Sequence, residues 1–202
     1  MSLTKISNNS LSAISTLPAS IPTGALTLLS TKTASSSASI EFTSGIDSTY
    51  SSYVFKFINI HTSVDDADFT MNFSTDGGSN YNVTKTSTYF FAYLSEDNNF
   101  QGFGYQTSFD LAQSTGFQII NNALGASNDN SCSGFLTLSN PSSNTFVKHF
   151  TAESNSLRNA LEIGYHSFVG GYANTSNPID AVQFKMSSGN IDDGIIKMYG
   201  VS

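Results

Sequence analysis

The chain contains a single cysteine, Cys132, and no tryptophan. No internal disulfide can form and no thiolate cluster can hold a metal, so folding must rest on burial or on assembly. Positive charge is nearly as scarce. Eight Lys and Arg against fifteen Asp and Glu give a formal net charge of −7, whereas binding a phosphate backbone takes clustered cations, which argues against nucleic acid as a partner. Charged residues of both signs reach only 11%, against roughly 25% in an average soluble domain. No stretch approaches the ~18 apolar residues of a membrane span. Residues 1–6, with one Lys and no apolar run, predict no export signal.

Ser, Thr, Asn and Gly take the place of the missing charge. The first three offer the backbone local hydrogen bonds that compete with a helical ladder, and Gly loses the most backbone entropy in a helix. At 39% hydrophobic and 12% aromatic in 202 residues, there is enough apolar chain to bury the core of one large sandwich.

Residues 1–24 are rich in Ser, Asn and Pro. Leu11, Ile14, Leu17 and Ile21 are spaced too widely for a strand, and Pro18 and Pro22 stop a helix. This segment reads as an extended N-terminal arm for attachment or oligomer contact, and residues 25–202 as one domain.

From residue 25 the apolar period is two, which sends alternate side chains to opposite faces of a sheet. Tyr53, Phe55 and Phe57 define one face of a strand whose other face holds Val54, Ile58 and Ile60, so it should be central. Phe69, Met71 and Phe73 alternate with Thr70, Asn72 and Ser74, as in a strand with one wet face. Further strands are predicted over 88–94, 117–120, 133–138, 145–151, 161–169, 181–186 and 194–201. Gly77-Gly78, Asn140-Pro141, Gly170-Gly171, Ser188-Gly189-Asn190 and Asp192-Asp193 mark reversals. Residues 98–130 read mostly as long loops bearing Phe103 and Tyr105. Many short strands without an amphipathic helix predict an all-β fold, an antiparallel β-sandwich of jelly-roll-like form.

Motifs for chemistry are sparse. Ser74-Thr75-Asp76-Gly77-Gly78-Ser79-Asn80-Tyr81 resembles the Asp box of sialidases and other β-propellers, but it occurs once, so it reads as a turn held by the Asp76 carboxylate. Asp65, Asp66 and Asp68 offer hard oxygens of the kind calcium takes, without EF-hand spacing, and read as a solvated turn. His61, His149 and His166 lack ligand spacing, and no Gly-x-Ser-x-Gly elbow occurs. No catalytic residue, cofactor or metal ligand is assigned. Glu41, Glu96, Glu153 and Glu162 are the carboxylates from which a glycosidase pair would have to come. With Trp absent, sugar stacking would fall to Tyr89, Tyr93, Tyr105 or Tyr172.

Phe55-Lys56-Phe57-Ile58-Asn59-Ile60-His61, the block from Ala67 to Thr86, the segment Asn140-Pro141-Ser142-Ser143-Asn144-Thr145-Phe146-Val147-Lys148-His149-Phe150 and the ending from Ser188 to Val201 resemble structural proteins of tailed bacteriophages of marine bacteria, cyanophages above all. The resemblance implies a non-enzymatic virion protein on the particle surface, as a tail or head fibre or a capsid decoration protein, assembled in the bacterial cytoplasm. It implies a homotrimer, contacts with other virion proteins, and a host glycan as ligand for an adhesin, with Phe103, Tyr105 and Tyr172 as candidate receptor contacts. The alternative is a depolymerase module that cleaves host polysaccharide.

Overall fold

A computed structural model describes residues 26–158 and 162–201. The predicted arm, with Leu11, Ile14, Leu17 and Ile21, lies outside the described residues. The remainder is the all-β antiparallel sandwich predicted from the period-two pattern, with strands β1 (Thr27–Thr33), β2 (Ile40–Phe42), β3 (Ser52–Thr62), β4 (Ala67–Ser74), β5 (Lys85–Ser95), β6 (Gln101–Tyr105), β7 (Leu111–Ser114), β8 (Gln118–Leu124), β9 (Cys132–Ser139), β10 (Lys148–Arg158), β11 (Ile163–Ala173), β12 (Ala181–Met186) and β13 (Ile191–Val201).

The large sheet runs β1-β13-β3-β9-β10-β11-β5, with β6 and β7 sharing the outer edge of β5. The small sheet runs β8-β4-β12-β2 and joins the large one where Arg158 of β10 pairs with Leu124 of β8. From β1 to β5 successive strands alternate between the sheets, as do β11, β12 and β13, while β5–β7 and β9–β11 stay in the large sheet, and the seam between β10 and β8 nearly closes the sandwich into a barrel. Sheets that wrap this far leave few free edges.

Phenylalanines fill the interior between β3 and the small sheet. Phe184 of β12 lies 5.6 Å from Phe55, 5.5 Å from Phe57, 5.8 Å from Phe69 and 6.3 Å from Phe42, mostly tilted or edge to face. These are the separations at which the ring quadrupoles attract. The interior under β5, β10 and β11 is polar instead. There Tyr89 Oη lies 2.6 Å from Ser167 Oγ, Asn121 Nδ2 donates to Ser154 Oγ at 2.9 Å, and Ser154 Oγ donates to the Ile120 carbonyl at 2.7 Å.

The structure corrects four readings of the sequence. Ile60 belongs with Tyr53, Phe55 and Phe57 in the core, because Asn59 takes a positive φ of 51° in a bulge that shifts the register and flips the side-chain parity. The polar face of β4 is not wet: Thr70, Asn72 and Ser74 are buried, and Asn72 Nδ2 donates to the carbonyls of Tyr81 and Thr115 in the loops that cover it. Residues 98–130 are no string of loops, since they supply β6, β7 and β8. Gly170-Gly171 and Asp192-Asp193 are not turns. The glycines lie inside β11, where a Cβ on Gly171 would meet the Thr86 carbonyl at 2.5 Å, and the two acids sit in the bulged start of β13.

Candidate functional site: an aromatic row on the outer sheet

Backbone pairing decides which rings face solvent. Across the large sheet Tyr105 of β6 is opposite Phe90 of β5, Phe90 is opposite Phe168 of β11, and Phe168 is opposite Glu153 of β10. Residues directly opposite in an antiparallel pair share a face. Tyr105 and Phe90 are each 48% exposed and Phe168 is 41% exposed, while Phe103, two residues before Tyr105, is 89% exposed. The Tyr105 and Phe90 rings lie 5.0 Å apart, and His166 stacks on Phe168 at 4.3 Å.

The row is held from beneath and from the side. Asp110 accepts the Tyr105 hydroxyl, which raises the pKa of that tyrosine, and its other oxygen accepts the Tyr89 amide at 2.9 Å. His166 Nε2 lies 3.0 Å from Glu153 Oε1, so the one carboxylate beside Phe168 is already engaged. Next to the row is a groove of about 360 Å³ lined by Thr88, Phe90, Phe135, Glu153, Phe168 and Gly170. A Cβ built on Gly170 would meet nothing within 4 Å, so the absent side chain leaves the groove open.

Of the three sequence candidates, the structure brings Phe103 and Tyr105 onto one face of β6, in a strand and not in the predicted loop. Tyr172 lies on the same outer face, four residues along β11 from Phe168, roughly 13 Å at the strand rise. It is half-buried, edge-on to His149 at 6.3 Å. Tyr89, considered for sugar stacking, is buried, and Tyr93 is half-buried against Phe91 and Tyr165. Phe90 and Phe168 were missed.

The other constellations resolve locally. In the Asp-box-like turn Asp76 accepts the Ser74 hydroxyl at 2.6 Å, the Asn80 amide at 2.9 Å and Asn80 Nδ2 at 2.7 Å, which holds its carboxyl down at about 2. This is a structural turn between β4 and β5. Asp68 accepts Asn122 Nδ2 and the Ala123 amide, and Asp65 accepts the Ala126 amide at 2.8 Å, so the acidic loop is tied to residues 122–126. Among the described residues no three His, Cys, Asp or Glu side chains are grouped to hold a metal. Burial pushes the Cys132 thiol up, away from thiolate chemistry. Of the four glutamates, Glu96 and Glu162 meet through a backbone bond of 3.1 Å, Glu153 faces His166, and Glu41 Oε1 accepts Gln183 Nε2 on the small sheet. A second, polar cleft of about 490 Å³ holds His61, Asp129, Asp192 and Asp193 at one end of the sandwich.

Comparisons with protein-family models, with curated proteins and with solved structures found no match to this chain. No described helix is long and apolar enough to cross a membrane.

Proposed function

We propose that the chain is a non-enzymatic virion surface protein of a tailed bacteriophage that contacts host glycan through the outer face of β6, β5 and β11. The particle assignment is supported by the resemblance of its segments to phage structural proteins. The contact role is supported by one observation above all: the row Phe103, Tyr105, Phe90 and Phe168 stands in solvent on a chain with little surface charge. Clustered exposed apolar side chains of this kind are a mark of interaction surfaces. Aromatic rings offer flat faces for sugar C–H groups, and the adjoining Glu153 and His166 supply polar anchors. β1, which follows residues 1–25, occupies the edge of the large sheet opposite β6. An arm anchored to other virion proteins would leave the aromatic row on the far side.

The test uses equilibrium binding of purified host envelope polysaccharide by calorimetry. Gly170→Phe sends a ring into the groove, and the backbone accepts it because a Cβ at Gly170 meets nothing within 4 Å in ordinary strand backbone. Binding is expected to weaken tenfold or more, with the circular dichroism spectrum unchanged. Equal binding by Gly170→Phe, or none by the wild-type protein at millimolar glycan, would contradict the proposal. The depolymerase reading would need two carboxylates to converge, and the one pairing between glutamates among the described residues, Glu96 with Glu162, is a backbone bond. Reducing-sugar release that is lost in Glu96→Gln would favour it instead.

A further inference from the structure

The free edges of the sandwich are unequal. β1 carries Lys32 and a register shift between Leu28 and Ser30, and β2 is only three residues long. Charge, bulges and shortness each block pairing with another chain. β6 has none of these. Its register with β5 is unbroken from Gln101 to Tyr105, it contains no Lys or Pro, and no formal charge occurs between Asp97 and Asp110.

Hydrogen bonds fix which backbone groups of β6 are free. The Ser95 amide donates to the Phe100 carbonyl at 2.8 Å, and the Gln106 amide to the Tyr89 carbonyl at 2.9 Å. In an antiparallel ladder the bonded pairs alternate, so Gly102 and Gly104 also face β5. The N–H and C=O groups of Gln101, Phe103 and Tyr105 therefore point away from it. On the inner side the rings of Tyr93 and Phe91 close over Gly102 and Gly104, each within 3.1 Å of where a Cβ would stand. The strand is thus clamped from inside and open along its edge.

We propose that β6 pairs antiparallel with β6 of a second copy, about a two-fold axis through Phe103. A strand paired with itself in this register sets Phe103 opposite Phe103 and Gln101 opposite Tyr105, and the backbone donor and acceptor of each are unbonded to any other described residue. The partner is a second copy because the edge is self-complementary, and the uncharged stretch between Asp97 and Asp110 lets two chains of net charge −7 approach there without juxtaposing like charges. Pairing leaves the outer faces of Phe90, Tyr105 and Phe168 open and joins two rows into one platform. The assembly unit is then a dimer in place of the homotrimer expected from the sequence. This inference does not rest on glycan binding.

Light scattering at tens of micromolar should give a dimer, and hydrogen exchange should find the Gln101, Phe103 and Tyr105 amides protected. Phe103→Pro removes an outward N–H and no bond to β5, a position where an edge strand tolerates proline. It should be monomeric with unchanged circular dichroism. Phe103→Lys keeps the amide but sets like charges across the axis, and should be monomeric at low salt; it decides the matter if the proline variant does not fold. A wild-type monomer, a trimer, or a dimer indifferent to Phe103→Lys would overturn the proposal. So would a monomer with protected β6 amides, which would point to the chain's own residues 1–25 on that edge.

Discussion

Phe184→Ala is expected to lower the unfolding free energy by about 3–5 kcal/mol, the range for removing a buried aromatic ring from a core that cannot collapse around the gap. Phe184 is fully buried and sits among Phe42, Phe55, Phe57 and Phe69, which come from both sheets. Close-packed interiors relax only in part, so the lost ring leaves a cavity and four rings lose an edge or a face partner. Urea unfolding followed by circular dichroism measures the loss. A change under about 1 kcal/mol would mean that the two sheets do not close on this residue.

The second large effect is electrostatic and depends on pH. Lys85 is buried on the inner face of β5, and its Nζ donates to Asn72 Oδ1 at 2.5 Å and to the Val83 carbonyl at 2.7 Å, both neutral acceptors. Burial without a carboxylate disfavours the charged form and pushes its pKa down to about 7, from an ordinary value of 10.5. Below pH 7 folded and unfolded chains both hold the proton. Between about pH 7 and 10.5 the unfolded chain holds a proton that the folded chain has released, so this group makes stability rise with pH by about 1.4 kcal/mol per unit. Tyr81, Tyr89 and Cys132 act oppositely at high pH, because burial raises their pKa values. The difference between wild type and Lys85→Met cancels those terms. That difference should shift in favour of wild type by roughly 3 kcal/mol between about pH 7 and pH 9.5. A flat difference in urea unfolding would show that Lys85 keeps its proton when folded.

The period of two was enough to read the class of fold, because Phe69, Met71 and Phe73 leave polar residues at the alternate positions and the rings of Tyr53, Phe55 and Phe57 in β3 recur at the same spacing. It failed where parity carries no mark. Tyr89-Phe90-Phe91-Ala92-Tyr93-Leu94 is apolar throughout, so nothing in it says that Tyr89 points inward and Phe90 outward. In β11 the hydropathy is inverted: Ser167 is buried against Tyr89 while Phe168 is exposed. Phe90 and Phe168 could be found only from the pairing of β5 with β11, a contact between segments far apart in the chain. Phe103 and Tyr105 were legible as accessible rings, since glycines and Gln surround them, but those glycines also disguised β6 as loop. Close packing of the Tyr93 and Phe91 rings over Gly102 and Gly104 accompanies the pairing of that segment with β5. The Gly170-Gly171 pair misled in the same way, because a glycine needed for close approach and one needed for a turn are identical in sequence.

The most direct test of the proposed function is the position of this subunit in an electron-microscopy map of the purified phage particle. The account predicts density for the sandwich on the outer surface of head or tail, with β6, β5 and β11 facing away from the attachment point. Absence of the chain from purified particles, or a sandwich whose aromatic row is packed inside the shell, would contradict it.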